Sequence, residues 1–353
     1  MSFLDSTMLF PLSTIYSAVT RARLQAYRSG LLSTSKLPVP VISVGNLTTG
    51  GTGKTPLVEW ISRRIVDDGK RVCVLTRGYG RINPKTQVVV SNGTEILTNE
   101  RAAGDEPFLL AENLRGIAAV VCNSNRAAAG QWAIQNLGTQ VFVLDDGFQH
   151  LRLARDLNIV TIDATEPWGG GRLLPQGRLR EPRTSLARAD CVVITRVDQT
   201  ADLDSLRDAV TEVADGIPVF MSRMLTSGLF TLAGEPVVFP LQPTGAFCGV
   251  GNAESFFNHL RGAGQELAFT RAFADHHQYK QTELDALARE ATAHGAVSLI
   301  TTAKDAIKLR SLSLPIPCCV LEIRISIEDE ERFVELIRNA ISQAGSTNRK
   351  PDR

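Results

Sequence analysis

The chain reads as an α/β protein of two lobes, and three observations predict this. First, apolar β-rich runs alternate with helical patterns from residue 39 onward, the signature of a parallel sheet covered on both faces. Second, the β-branched run 39–44 gives way to a Gly/Thr loop ending in Gly53-Lys54-Thr55, which leads into the helical spacing Leu57, Val58, Ile61, Ile65. Third, the alternation breaks across 219–239 and resumes at Ala246. With 353 residues and 43% hydrophobic content, the chain can bury about two domain cores.

The first segment, 8–19, is mostly apolar but contains Pro11 and several hydroxyls, with Arg21, Arg23 and Arg28 close behind. It is too short to span a bilayer and lacks the leader and cleavage site of a signal peptide. Leu9, Leu12, Ile15, Tyr16, Val19, Leu24 and Tyr27 fall near helical spacing. That pattern fits a helix in a membrane interface and equally one packed on its own domain. Strands are expected at 71–76, 87–90, 117–121, 140–144, 157–162 and 190–195, and helices at 57–66, 107–113, 126–136 and 203–214. Residues 219–239 read as hairpin-like extended segments linking two lobes. The second α/β pattern has strands at 246–252, 297–301 and 317–323 and helices near 254–260, 282–294 and 329–342. The divisions expected are 1–32, 33–218 (phosphate-loop lobe), 219–242 (linker), 243–344 (second lobe) and a disordered polar tail at 345–353. A cleft between lobes is a common substrate site.

Strand, glycine loop, Lys-Thr and helix together form the arrangement that cradles phosphates in P-loop nucleotide-binding proteins. Loop N–H groups face the anion, Lys54 reaches the β/γ-phosphates, and Thr55 offers its hydroxyl to Mg²⁺. The consensus would place its first glycine where this chain has Thr48, but Gly50, Gly51 and Gly53 still supply a permissive backbone. The buried-strand pattern 140–144 ends in Asp145-Asp146-Gly147, a carboxylate position that holds Mg²⁺ directly or through water. Successive strand residues face opposite ways, so one of the two is expected near the metal. Gln149 and His150 follow on the same rim. In Gly104-Asp105-Glu106-Pro107, the acids either favour a helix N-terminus or supply a base for an acceptor hydroxyl.

The glycine-rich stretch 169–182 carries Arg172, Arg178 and Arg180, which suit anionic groups as well as a solvated loop. Phe273-Ala-Asp275-His276-His277 offers either a cleft-facing histidine beside an acid or an ordinary capping aspartate; a zinc site would need a third ligand that the spacing does not supply. A net charge of +1 argues against a general nucleic-acid binder. Six scattered cysteines without CxxC spacing point to buried thiols in a reducing compartment. Thr195-Arg196-Val197-Asp198 loosely resembles the guanine-reading Asn-Lys-x-Asp of GTPases, with Thr in place of Asn. A nucleotide-binding regulator and a membrane scaffold without turnover are therefore the rival classes.

The ordered motifs Val44-Gly45-Asn46 with the phosphate loop, Thr76-Arg77-Gly78-Tyr79-Gly80, Gly104-Asp105-Glu106-Pro107 and Asp145-Asp146-Gly147-Phe148-Gln149-His150 go further. With Leu174-Pro175-x-Gly177-Arg178-x-Arg180-Glu181-Pro182, the block ending at Asn252, Phe273-x-Asp275-His276 and Thr302-x-Lys304-Asp305, they resemble the tetraacyldisaccharide 4'-kinase family over nearly the whole chain. The resemblance implies two α/β/α lobes joined by a two-stranded β linker. It also implies ATP-dependent phosphorylation of the 4'-hydroxyl of a tetraacylated glucosamine disaccharide 1-phosphate. It places the protein at the cytoplasmic face of the bacterial inner membrane, touched peripherally through the N-terminal helix, with no required protein partner. Residue by residue, ATP would be held by Thr48, Thr49, Gly50, Gly51, Thr52, Gly53, Lys54 and Thr55, with Arg126 and Arg180. Asp105 would be the base, supported by Asp146, with His276 brought in from the second lobe. Mg²⁺ would fall to Thr55, Asp145 or Asp146, and Glu181.

Overall fold

The computed structural model describes residues 3–214, 216–238 and 240–346. Two compact units emerge, Met1–Ser222 with Ile327–Arg353, and Arg223–Ser326.

The first unit opens with helix α1 (Phe3–Arg28), which contains Pro11. Strands β1 (Val41–Asn46), β2 (Val72–Thr76), β3 (Val88–Ser91), β4 (Ala119–Cys122), β5 (Val141–Asp145), β6 (Leu157–Asp163) and β7 (Cys191–Thr195) follow, and β8 (Val219–Thr231) starts here before continuing into the second unit. Their order across the sheet is β8-β7-β6-β1-β5-β2-β4-β3. Every pairing is parallel except that of the edge strand β3 with β4. Strands β1, β2, β4, β5, β6 and β7 are buried along their whole length, which is why they read as continuous apolar runs.

Helices cover both faces. On one, Ala129 and Ala133 of α5 (Arg126–Leu137) pack with Cys73, Leu75, Phe142 and Leu144. By strand alternation the opposite face takes α2 (Lys54–Asp67), whose Leu57, Val58, Ile61 and Ile65 are buried, beside α4 (Asp105–Asn113). A short α3 (Glu100–Ala103) precedes α4, and α6 (Leu203–Val213) buries Leu206 and Val210 against Val160, Ile162, Val192 and Ile194.

The last helix, Glu330–Ser346, groups with this first unit rather than with the second lobe, where sequence reading had put it. Packing explains the difference. Phe333 is fully buried, 4.7 Å from the Phe220 ring and 5.6 Å from Trp60, and Arg338 pairs with Asp68 at 2.6 Å. Of the tail expected at 345–353, residues 345 and 346 close this helix and the remainder lies outside the described residues.

In the second unit β8 pairs antiparallel with β9 (Pro236–Val237), the two-stranded element expected of the linker region. Strands β10 (Thr244–Cys248), β11 (Leu267–Ala272), β12 (Ser298–Thr302) and β13 (Cys318–Ile327) form a parallel sheet ordered β11-β10-β12-β13. Helices α7 (Ala253–Gly262), α8 (Gln281–Ala293) and α9 (Ala303–Leu309) accompany it. Sequence reading missed β11 and α9. The outer end of β11 is exposed and polar, and α9 spans only seven residues, so neither carries a strong period. All six cysteines are free, and five of them are buried.

Candidate active site

The phosphate loop sits where β1 ends beside β5, with Val44 opposite Asp145 in the register. Gly45 is required by packing, because a Cβ there would come within 2.6 Å of Phe148. Gly53 adopts the left-handed region (φ 77°) and caps α2 without any side-chain bond, so the first N–H groups of that helix remain for an anion.

The loop's carbonyls are gripped from outside. Arg178 donates to Thr49 O at 2.8 and 3.1 Å and also pairs with Glu166. Arg196 donates to Gly51 O at 2.7 Å and pairs with Asp163. The Thr195 hydroxyl donates to Thr52 O at 3.1 Å, and the Thr52 and Thr161 hydroxyls bond at 2.8 Å. A planar peptide directs the next N–H oppositely, so the amides of Gly50, Thr52 and Gly53 turn to the concave side. Thr48 is buried and bridged antiparallel to Leu179, which gives the non-glycine at the consensus position its reason: an extended residue is needed there.

Facing the loop stand two adjacent carboxylates in opposite electrostatic states. Asp145 is buried and accepts from the Thr76 hydroxyl at 3.2 Å; burial, then the charges of Glu106 and Asp146, push its carboxyl up to about 7. Asp146 has φ 52°, which swings its side chain to Lys54 Nζ (3.6 Å) and to Arg180 Nη1 (2.7 and 2.8 Å). Burial would raise Asp146, but Lys54 and Arg180 outweigh it and hold the carboxyl down to about 2. Arg180 also lies 3.5 Å from Gln149 Oε1, whose amide donates to Asn46 O at 2.9 Å. Arg126 is buried, lowered to about 10 by that burial, and its charge acts on both aspartates. Burial, with Arg126 and neighbouring arginines, drops His150 to about 3, so its ring is neutral.

Asp105 begins α4 directly after Gly104 (φ 91°), where a Cβ would meet Tyr79 O at 2.5 Å. The 77–80 and 104–106 loops are thus locked together, and Asp105 accepts from the Glu106 N–H at 3.1 Å. Glu181 is buried one residue from Arg180, but its carboxylate pairs with Arg188 at 2.8 Å. His276 belongs to the second unit. It has φ 61°, its N–H donates to Gly249 O at 3.2 Å, and its Nε2 lies 3.5 Å from Lys304 Nζ and 3.9 Å from Asp275 Oδ1.

The structure therefore gathers Lys54, Asp145, Asp146, Arg126, Arg180 and the loop. Arg196 was noticed in the sequence only within a motif resembling a guanine-reading one, and Arg178 was left open between an anion ligand and a solvated loop, whereas both donate to carbonyls of the phosphate loop. Among the described residues, no three His, Cys, Asp or Glu side chains gather into a metal cage.

Helix α1 packs on its own domain, as one of the two readings offered for it expects. Ser13 donates to Leu173 O (3.1 Å), Tyr16 to Arg180 O (3.0 Å) and Arg23 to Gln149 O (3.1 Å), so one face packs on the active-site loops. Leu12, Ile15 and Val19 form an exposed apolar stripe along the helix, and Phe10 is exposed on a separate side of it. No helix among the described residues is long and apolar enough to cross a membrane.

A family profile described as "Tetraacyldisaccharide-1-P 4'-kinase" (LpxK) matches residues 6–342. The tetraacyldisaccharide 4'-kinase of Pelobacter propionicus is 38% identical over 344 residues, covering 96% of this chain and 93% of the relative. That of Geobacter sulfurreducens is 42% identical over 316 residues, covering 88% and 87%. A crystal structure of LpxK from Aquifex aeolicus, described as an "apo" form in complex with ATP, superposes with a TM-score of 0.75 at 34% identity, covering 95% of this chain and 99% of that one. With the phosphate loop, its carboxylates and its clamps laid out in the same chain, the protein belongs to the tetraacyldisaccharide-1-P 4'-kinase family.

Proposed function

We propose that the protein transfers the γ-phosphoryl group of ATP to the 4'-hydroxyl of a tetraacylated glucosamine disaccharide 1-phosphate, forming the 1,4'-bisphosphorylated lipid A precursor. The observation that carries this reading is the Lys54–Asp146–Arg180 cluster at the mouth of the phosphate loop, in a chain of this family. Phosphoryl transfer depends on positioning and charge neutralisation, and the residues fit that need. Lys54 and the amides of the loop neutralise the β/γ-phosphates. Arg180 and Arg126 take up charge that develops on the transferred group. Asp105 accepts the acceptor hydroxyl's proton, with Asp146 beside the reacting centre.

The site's donors suit Mg²⁺: a threonine hydroxyl at Thr55 and the Asp145–Asp146 pair, where the raised Asp145 carboxyl marks negative charge that a divalent cation would neutralise. Once bound, the ion would supply Lewis-acid neutralisation of phosphate oxygens. Glu181, held by Arg188, would act on it at one remove by fixing the neighbouring Arg180.

The acceptor stays in the membrane, since exposing its chains costs about 0.8 kcal/mol per CH₂. The stripe Leu12, Ile15 and Val19 enters the cytoplasmic face of the inner membrane, with Arg21, Arg23 and Arg28 near anionic headgroups. Because the other face of α1 is bonded to the Arg180 and Gln149 loops, this docking would bring the catalytic edge to the lipid surface. Radiolabelled phosphate transfer from ATP to a tetraacyl disaccharide 1-phosphate tests the reaction, and absence of label in that acceptor with labelling of simpler sugars would sink it. Deletion of residues 8–32 should move the protein off sedimenting vesicles; unchanged sedimentation would assign membrane contact to another surface.

A further inference from the structure

Where α1 ends, about 18 Å along the helix from Tyr16 and the Arg180 carbonyl, the first unit holds a second concavity. Its volume is about 390 Å³, and the reaction proposed above makes no use of it. Arg28, Arg155 and Arg188 line it together with Asn158, while Leu24, Tyr27 and Leu151 form an apolar wall. Asp190 is the carboxylate on the rim, and its Oδ2 already accepts from the Asn158 N–H at 2.7 Å.

The polar groups here are built but incompletely matched. Asn158 is 3% exposed; its amide donates to Arg188 O at 2.8 Å, yet its Oδ1 has no partner. Arg188 gives Nη2 to Glu181 and lies over the Phe148 ring at 4.4 Å, leaving its buried Nε and Nη1 without acceptors. Arg155 is held by the carbonyls of His150 (3.1 Å) and Leu153 (3.5 Å). Burial, and then the charge of Arg188, push the Arg155 guanidinium below its usual range, although Asp190 and Glu181 oppose this and leave three guanidiniums facing two carboxylates. Burial lowers Arg188 too, and although Glu181 opposes this, Arg28 and Arg23 add to it. Buried cations crowded together with orphaned donors are costly unless an anion joins them.

We propose that this cavity binds the headgroup of an anionic phospholipid at the bilayer surface. Its phosphate meets Arg28 and Arg155, with the buried charge of Arg188 behind them, and the first acyl carbons lie along Leu24, Tyr27 and Leu151. The exposed apolar stripe on α1 sits on the same helix, so one helix would carry both the apolar insertion and a specific phosphate contact.

The full chain is titrated calorimetrically with dihexanoyl-phosphatidylglycerol below its micelle concentration. Saturable one-to-one binding is expected, weakened at least tenfold by Arg28→Glu and by Thr34→Glu; Thr34 is an exposed lining residue whose hydroxyl donates to Leu151 O at 3.0 Å, and Thr34→Val, which loses that bond without adding charge, should stay within twofold. Arg207→Glu, exposed on α6 and outside the cavity, should stay within twofold. Equal affinity in all variants, or equal binding of dihexanoyl-phosphatidylcholine, overturns the site. Inorganic phosphate binding as tightly as the lipid overturns the lipid assignment. In phospholipid-free detergent the KM for the acceptor should be unchanged in Thr34→Glu, and a tenfold rise would give the cavity to the substrate instead. The binding arms need no ATP or turnover, so they stand or fall separately from the proposed reaction.

Discussion

Both units contain a buried parallel strand followed by a glycine loop and a helix, yet only one is built to receive phosphate. After β1, carbonyls of the loop are bonded outward to Arg178, Thr195 and Arg196, and Gly53 starts α2 with no side-chain cap. After β10, the Gly249 N–H already donates to the buried Asp305 carboxylate at 3.0 Å, and Asn252 caps α7 by accepting from the Ser255 N–H at 3.1 Å. The second loop thus carries its own anion. A strand-glycine-helix turn becomes a phosphate site only when its amides are left unmatched and a cation such as Lys54 stands beside them. In the second unit the same amides serve internal order, and Gly249 O in turn accepts from His276, fixing that residue's left-handed backbone.

The strongest way to break this contrast is to remove the cation. Lys54→Ala should lower kcat/KM by about three orders of magnitude or more, measured by steady-state transfer; a variant within tenfold of wild type would detach the loop from the reaction. The corresponding change in the second unit is Asp305→Ala, which orphans the Gly249 N–H and removes the carboxylate 3.8 Å from the Lys308 ammonium. It should cost about 3 kcal/mol in urea unfolding, and a loss under about 1 kcal/mol would show that this carboxylate is no internal anion.

A subtler test uses pH. Asp145 is raised from 3.8 to about 7, so the folded protein holds a proton that the unfolded chain has released. Its contribution to stability is complete below about pH 4 and is lost as pH rises through about 7. Without nucleotide or metal, the stability of wild type relative to Asp145→Asn should therefore fall between those values, by on the order of 1 kcal/mol per pH unit. A difference that stays flat with pH would remove the raised carboxyl. The smallest effect is expected of Thr48→Gly, which restores the consensus glycine: a loss of about 1 kcal/mol in stability and no gain in nucleotide affinity. Tighter nucleotide binding would mean that the Thr48–Leu179 bridge hinders the loop.

Much of the first unit could be read from residues alone. Strands 71–76, 140–144 and 190–195 were placed to within one residue because burial on both faces demands unbroken apolar runs. That Lys54 and the Asp145-Asp146 pair share one edge of the sheet was legible because strand ends and local spacing set it. Arg178 and Arg196 were not: the first suited an anion ligand as well as a solvated loop and the second resembled part of a base-reading motif, and only the fold shows each donating to a loop carbonyl. The last helix was found, but its unit was not, since the aromatic contacts of Phe333 with Trp60 and Phe220 join residues far apart in the chain.

The sequence by itself determined the α/β alternation, the phosphate loop and the carboxylates after β5, because each rests on patterns within a few residues. Tertiary structure decided what those groups become. Asp145 and Asp146 are chemically identical neighbours; burial, and then the charges of Glu106 and Asp146, raise the first, while Lys54 and Arg180 reach the second and outweigh the burial that would raise it too. Charge acts through space, and distances between remote residues are set only when the chain has folded.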